Sequence, residues 1–167
     1  MTVIADIPIT LASLDECAQI ASMSRDYIEQ GLGWSWRPAR VAAAIKDRET
    51  NVAVLRARGG LAAFGIMSYH REHAHLQLLA VRRAYRRSGC GSAILLWLEH
   101  VAEVAGLVEI RVEARNDNPA ALAFYRKHGY RKIADVPAMY RGTHDGIRLV
   151  KSYWTTGSND SAANRSG

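Results

Sequence analysis

The sequence has only two cysteines among its 167 residues, Cys17 and Cys90, and they are too far apart to form a CxxC pair. Such a chain carries neither a disulfide framework nor a cysteine-based metal motif. It also lacks any apolar run near the roughly 18 residues that a membrane-spanning helix requires. Its first residues contain no basic stretch followed by an apolar core, the pattern of a secretory signal. We therefore expect a reduced, cytoplasmic protein without a membrane segment.

The sequence has few acidic residues: it contains 16 Asp and Glu and 22 Lys and Arg, which give a net charge of +6. An excess of positive charge favours anionic partners. Four arginines, at positions 82, 83, 86 and 87, fall beside glycines, whereas the other basic residues are interleaved with acids. A local cluster beside glycines suits a compact phosphate group better than a long polyanion. We therefore expect a phosphorylated small molecule and no nucleic-acid partner.

The length of the chain fits one domain. Apolar periodicity predicts helices over about 13–30, 38–46, 91–105 and 119–128. Runs of alternating or continuous apolar residues predict strands over 52–55, 61–69, 75–81, 108–114, 133–140 and 147–153. The strand at 75–81 is nearly all apolar, which predicts a central position. We expect a single mixed α/β domain over residues 1–154 and a small, polar, disordered tail over 155–167.

The loop between the central strand and the next helix has the sequence YRRSGCGSA. The free amides and the dipole of a helix start form an anion site. Gly89 and Gly91 have no side chain, so the backbone can approach a phosphate closely. Arg86 and Arg87 can add charge-assisted hydrogen bonds to it. The dinucleotide fingerprint requires a third glycine where Ile94 stands, and the Walker A loop requires a Gly-Lys-Ser/Thr that is missing. The loop therefore predicts a phosphate site of another class, with an ordinary basic strand–helix turn as the alternative.

A second motif, N-x-x-A-x-x-x-Y-x-x-x-G-Y, begins at Asn118 directly after the following strand. Together with the R-x-x-G-x-G pattern that begins at Arg86, it closely resembles the GNAT superfamily of N-acetyltransferases in order and spacing, over roughly 64–153. The resemblance implies the GNAT fold, an α/β (α+β) architecture with a mixed, mostly antiparallel central sheet, flanking helices and splayed central strands. It also implies that an amine attacks acetyl-CoA directly in a ternary complex.

The same resemblance implies how acetyl-CoA would be bound, without a metal. The pyrophosphate would lie on the glycine loop, held by backbone amides and arginine side chains from Arg86, Arg87, Ser88, Gly89, Cys90, Gly91 and Ser92. Leu79 and Val81, at the end of the central strand, would pair through their backbone with the pantetheine arm, and Asn118 would contact the cofactor. We interpret the Cys90 side chain as a packing group and not as a nucleophile.

Tyr125 and Glu113 are the predicted catalytic residues. The resemblance implies that Tyr125 protonates the leaving thiolate. Local geometry agrees, because Tyr125 lies seven residues beyond Asn118, on the same helix face, and a protonated phenol can donate a proton. The alternative is a buried aromatic ring that packs under the sheet. Glu113 lies where ribosomal-protein alanine N-acetyltransferases of the RimI type carry a glutamate, and it would deprotonate the amine through water. Two alternatives stay open: Glu113 forms an ion pair with Arg111, or His75 on the central strand is the base.

Aromatic residues are the predicted contacts of the acceptor amine. Trp34 and Trp36 precede a helix where RimI-type enzymes have an aromatic-rich substrate loop, so they either line the acceptor site or cover the core. Tyr140 and His75 are further candidates. The histidines at positions 70, 73 and 75 lack the framework of a metal site.

The acceptor itself is open between a protein N-terminus or lysine and a small amine such as an antibiotic or polyamine. A positively charged enzyme would repel basic ribosomal proteins unless the cofactor and local acids offset its charge. A GNAT-fold module that binds acyl-CoA without catalysis is the alternative from another class. The sequence leaves both a monomer and a homodimer open.

Overall fold

A computed structural model describes residues 8–153. The strands are β1 (Ile9–Leu11), β2 (Thr50–Ala57), β3 (Gly60–Tyr69), β4 (His73–Val81), β5 (Glu109–Arg115), β6 (Arg131–Tyr140) and β7 (His144–Ser152). The α-helices are α1 (Cys17–Tyr27), α2 (Pro38–Lys46), α3 (Cys90–Val104) and α4 (Pro119–Lys127). The strands form one sheet in the order β1-β2-β3-β4-β5-β7-β6. Among the strand pairs of the described residues, β4–β5 is the parallel one and the others are antiparallel. The predicted mixed, mostly antiparallel sheet is thereby confirmed, and the predicted tail lies outside the described residues.

The helix starts follow from local sequence. The backbone N–H of Ser13 donates to the Glu16 carboxylate at 2.9 Å, which closes a capping box before α1. Helix α2 begins with Pro38 in its first turn, and the side chain of Asn118 accepts the Ala121 N–H at 3.1 Å to cap α4. The caps before α1 and α4 satisfy donors that a helix end leaves free, whereas Pro38 has no N–H to satisfy in the first turn of α2. These three starts are therefore fixed by adjacent residues.

Helices cover the two faces of the sheet. Helix α3 buries Ile94, Leu95 and Leu98 in a core cluster that also includes Tyr125 of α4. Helices α1 and α2 bury a second cluster, to which Ile20 belongs. The sheet is therefore the middle layer of the domain, with β4 at its centre.

A β-bulge at Gln77 changes the faces of β4. Ile66 of β3 pairs with Leu78, and Met67 pairs with Leu76, so Gln77 is the extra residue. As a result Leu76 belongs to the core cluster under α3, whereas Leu78 belongs to the cluster under α1 and α2. An extra residue bends a strand and increases its twist, so the second half of β4 takes a new direction.

Strands β4 and β5 diverge at this bulge. Their parallel register runs from His73 opposite Glu109 to Leu76 opposite Val112. Beyond that point β4 continues to Val81 and β5 to Arg115, with no further β4–β5 pairs in the described part of the chain. The predicted splay of the central strands is confirmed, and it opens the sheet beside α4.

Candidate active site

A slot lies between the diverging ends of β4 and β5. Its lining includes Leu79, Glu113, Asn118, Tyr125 and Tyr140. Tyr125 is only 8% exposed, and its burial, followed by the nearby Tyr140 phenol, raises its pKa above the ordinary value. Tyr125 is therefore protonated at neutral pH, as a proton donor must be.

On one side the slot continues into a cavity of about 370 Å³ beside the glycine loop, which we call the loop cavity. Its lining includes the predicted cofactor residues Leu79, Val81, Arg86, Arg87, Gly91 and Asn118. Tyr27 and Phe124 line it as well, and the Arg86 guanidinium lies 5.2 Å from the centroid of the Tyr27 ring. These two aromatic residues were not predicted, because nothing in their local sequence separates them from core residues.

The start of α3 presents free amides next to this cavity. The first bond inside the helix runs from the Ala93 N–H to the Gly89 carbonyl at 3.0 Å, so the amides of Cys90, Gly91 and Ser92 have no partner within the helix. Gly89 precedes them with φ of +85° and provides no side-chain cap. Three unpaired donors at the positive end of a helix form an anion site.

The serine and cysteine side chains of this loop contact other parts of the protein. The Ser88 hydroxyl bonds to the Tyr85 carbonyl and lies 3.2 Å from the Cys90 sulfur, which is 1% exposed. The Ser92 hydroxyl bonds to Nε2 of His128 at 2.9 Å. The backbone amides at the start of α3 are therefore not covered by these side chains, and the Cys90 side chain packs in the core.

On the other side the slot adjoins a second cavity of about 320 Å³, the outer cavity. Trp36, His75, Glu113 and Tyr140 line it, so the predicted base and three of the four predicted acceptor contacts are brought together. Burial, with the negative charge of Glu113 next in weight, raises the pKa of Tyr140 to about 12. Glu113 and Tyr140 also line the slot, and they connect the outer cavity to Tyr125.

Glu113 has two cationic or hydrogen-bonding neighbours. Nε2 of His75 hydrogen-bonds to its Oε2, and Nε of Arg148 lies 4.0 Å from its Oε1. The alternative ion pair with Arg111 is not formed, because Arg111 turns to Glu109 at 2.6 Å. The hydrogen bond from His75 outweighs burial and lowers the pKa of Glu113. The two candidate bases therefore form one hydrogen-bonded pair.

The two tryptophans of the α1–α2 loop have different surroundings. The Trp34 indole N–H donates to the Ala21 carbonyl at 3.0 Å. The guanidinium groups of Arg25 and Arg37 lie 5.1 and 4.6 Å from the centroid of its ring. Trp34 thus covers α1. Trp36 is buried and also lines the outer cavity, so it combines both predicted roles.

Glu29 organises this loop and was missed by sequence reasoning. Its carboxylate is 8% exposed and accepts the Ser35 N–H at 2.8 Å, the Trp36 N–H at 3.2 Å and the Ser24 hydroxyl at 3.0 Å. Burial alone would raise its pKa, but these hydrogen bonds hold the pKa below its ordinary value. No local pattern marks a glutamate in a helix-ending segment as an anchor for residues that follow it.

The clustered histidines do not converge. The rings of His70 and His73 stack with centroids 4.7 Å apart, and His75 is bonded to Glu113. Between residues 8 and 153, no three His, Cys, Asp or Glu side chains group as metal ligands. In the same part of the chain, no helix is long and apolar enough to cross a membrane.

Comparison with known proteins agrees with this geometry. Residues 14–130 match the model of the acetyltransferase (GNAT) family, and the chain belongs to that family. Among its relatives is the [ribosomal protein bS18]-alanine N-acetyltransferase of Escherichia coli K12, which is 32% identical over 121 residues, 72% of this chain and 80% of the relative. An uncharacterized N-acetyltransferase of Methanocaldococcus jannaschii is 34% identical over 80 residues, 47% of this chain and 51% of the relative.

Solved structures show the same fold. The crystal structure of the Escherichia coli ribosomal-protein-S18-alanine N-acetyltransferase has a TM-score of 0.74 at 25% identity and covers 91% of this chain and 97% of its own. The PaiA N-acetyltransferase of Thermoplasma acidophilum, solved with coenzyme A, has a TM-score of 0.73 at 18% identity and covers 89% and 99%. The predicted class, an acetyl-CoA-dependent N-acetyltransferase, is confirmed.

Proposed function

We propose that this enzyme transfers the acetyl group of acetyl-CoA to the α-amino group of a protein N-terminus. The observation that carries the proposal is that Glu113 and Tyr125 line one slot between the splayed strands. A base and an acid at one cleft are what amine acetylation requires. The Escherichia coli relative, named for the alanine of a ribosomal protein, supports a protein acceptor.

The loop cavity fits a pyrophosphate and its pantetheine arm. The free amides of Cys90, Gly91 and Ser92 would hold the phosphate oxygens, with Arg86 and Arg87 beside them. A side chain at position 91 would have its Cβ 3.2 Å from Val81 and 3.6 Å from Phe124, so the glycine keeps this approach open. The backbone of β4 from Leu79 onward has lost its β5 partner and would pair with the amide groups of the arm.

Glu113 would remove a proton from the acceptor, directly or through water. An α-amino group titrates near 8, so most acceptors arrive protonated at neutral pH. The Glu113 carboxylate is ionised there because its pKa is lowered, and it faces the outer cavity where the amine would enter. His75 would hold the carboxylate in place through their hydrogen bond.

The neutral amine then attacks the thioester carbonyl carbon, and the carbon–sulfur bond breaks. A backbone amide of β4 near the Gln77 bulge would stabilise the oxyanion, as preorganised donors do. Tyr125 would give its proton to the departing thiolate and recover one from solvent. When the acceptor starts as a neutral amine, one of its protons is replaced by the acetyl group and, in net terms, ends on the thiol of coenzyme A. When the acceptor starts as an ammonium ion, one further proton is released to solvent. No acyl-enzyme is formed.

Thiol release from acetyl-CoA tests the acceptor class. The panel contains peptides with a free α-amine, the same peptides blocked at the N-terminus but carrying lysine, and small amines such as polyamines and aminoglycosides. We expect turnover with free α-amines and acetylation at that nitrogen by mass spectrometry. Turnover with small amines alone, or with lysine alone, would overturn the N-terminal assignment.

A further inference from the structure

Three arginines surround the outer cavity. Arg141 lines it, and its guanidinium packs over Gly33, where an added Cβ would be 2.7 Å from Cζ. The Arg40 guanidinium lies 3.8 Å from the centroid of the Trp36 ring. Arg148 reaches towards the Glu113 carboxylate, with the 4.0 Å separation given above. The opening is therefore bordered by cations from α2 and the β6–β7 hairpin, which we call the cationic border.

The anions near this opening are already occupied. Glu29 is bonded to Ser24, Ser35 and the Trp36 amide, and Glu113 is bonded to His75. By contrast, within residues 8–153 Arg40 and Arg141 have no carboxylate within ion-pair distance, and Arg148 has only the Glu113 carboxylate, at 4.0 Å. Arg40 and Arg141 therefore place positive charge at the opening without an opposite partner, although the Glu113 carboxylate lies inside.

The cationic border continues along the open sheet face. A groove of about 540 Å³ shares His75 and Glu113 with the outer cavity. It also contains Arg131 and Arg148, together with Arg111 and Glu109, which pair with each other. A chain whose amine lies at Glu113 extends about 3.3–3.6 Å per residue. Its second to fourth residues therefore fall within about 10 Å of the amine, in the region where the outer cavity and this groove adjoin Glu113.

We infer that the acceptor is an acidic protein N-terminus, with Asp or Glu among the second to fourth residues. The inference rests on the proposed function and adds the charge of the segment behind the amine. The amine, itself a cation, faces Glu113, and the acidic side chains face Arg40, Arg141 and Arg148. Complementary charge of this kind steers association and excludes like-charged partners. A basic segment would meet the arginines and be repelled.

The test on the unmodified enzyme compares three peptides of equal length that share an N-terminal alanine. Positions two to four are acidic, neutral or basic, and kcat/KM is measured at saturating acetyl-CoA and low salt. We expect the acidic peptide to exceed the basic one by at least about tenfold, which corresponds to ~1.4 kcal/mol. The difference should shrink as salt is added, because exposed charges are screened.

Charge-neutralising variants identify the arginines responsible. Arg40→Gln and Arg141→Gln should each reduce the ratio of acidic to basic kcat/KM several-fold, and Arg141→Glu should reduce it further. The matched control is Arg48→Gln, which removes the same charge from an exposed turn between α2 and β2, outside the cavity linings. The control should keep the ratio of the unmodified enzyme.

The outcomes separate the two proposals. Equal acetylation of all three peptides, or faster acetylation of the basic one, overturns the acidic preference and leaves N-terminal acetylation intact. An acidic preference that Arg48→Gln reduces as much as Arg141→Gln assigns the effect to net charge and overturns the role of the border. If no peptide is acetylated while small amines are, the proposed function itself fails.

Discussion

His75 and Glu113 hydrogen-bond to each other across the parallel pair β4–β5, one residue before and one residue after the point where backbone pairing ends. The bond from His75 is the largest influence that lowers the pKa of Glu113, and burial acts in the opposite direction. The pair therefore holds an ionised carboxylate at the mouth of the splay. The pairing of β4 with β5 thus positions the proposed base, Glu113, through its hydrogen bond with His75.

Replacing His75 by alanine should shift the acid limb of the pH profile of kcat/KM to higher pH. In His75→Ala the carboxylate keeps its burial and loses its main hydrogen bond, so the pKa of Glu113 rises. Since the ionised form is the base, kcat/KM should fall at a higher pH than in the unmodified enzyme. The pH profile of kcat/KM for a peptide acceptor measures this shift. His75→Gln keeps an N–H donor and should restore part of the profile, whereas superimposable profiles for all three proteins would refute the coupling.

Glu113→Gln should lower kcat/KM by about a hundredfold or more at neutral pH, the usual contribution of a positioned base. The amide cannot accept the amine proton, although it can keep one hydrogen bond to His75. Raising the pH towards 10 should recover part of the loss, because the acceptor then arrives as a free amine. Full activity at neutral pH would remove Glu113 from the mechanism.

Tyr125→Phe should lower kcat by about a hundredfold while the Kd for acetyl-CoA changes little. The variant removes the hydroxyl alone, and the buried ring keeps its packing in the α3 and α4 cluster. Stopped-flow thiol release and calorimetry with acetyl-CoA separate the two effects. Tyr140→Phe is the control, because Tyr140 also lines the slot but is not the proposed donor. An equal loss in both variants would contradict the assignment to Tyr125.

Local chemistry explains which elements could be predicted from the sequence. The starts of α2 and α4 depend on Pro38 and on Asn118 with Pro119, and the anion loop depends on Gly89 and Gly91. Each feature is determined by neighbours in the chain, so sequence reasoning placed it correctly. The three-residue strand β1 was missed because a run that short carries no periodicity.

Contacts between distant parts of the chain could not be predicted. His75 and Glu113 are 38 residues apart, and their pairing depends on the parallel register of β4 and β5. The alternative ion pair of Arg111 with Glu113 is not formed, because Arg111 pairs with Glu109, two residues earlier on its own strand. The bulge at Gln77 likewise depends on its pairing with β3. Tertiary pairing, and not local propensity, assembles the acceptor side of the site.

Gly91→Val should weaken acetyl-CoA binding. The added side chain would enter the space between Val81 and Phe124 at the edge of the loop cavity. We expect the Kd for acetyl-CoA to rise about tenfold or more, measured by calorimetry, with the thermal midpoint close to that of the unmodified protein. Ser92→Ala is the control, since it removes a hydroxyl bonded to His128 and keeps the backbone amide. A large loss of affinity in Ser92→Ala would mean that side chains, and not amides, hold the cofactor.

Glu29→Gln should loosen the acceptor side without affecting the cofactor side. The glutamine side chain has only one accepting oxygen, so it loses part of the hydrogen bonding to Ser24, Ser35 and the Trp36 N–H. We expect the free energy of unfolding to fall by about 1–3 kcal/mol. The KM for peptides should rise while the Kd for acetyl-CoA stays constant. The folded-state pKa of Glu29 is lowered, so its stabilisation is present above its unfolded pKa and is lost as the pH falls through the folded value. Urea unfolding of both proteins should therefore converge in acid, and a difference in stability that stays constant down to pH ~3 would show that the ionised carboxylate is not what anchors the loop.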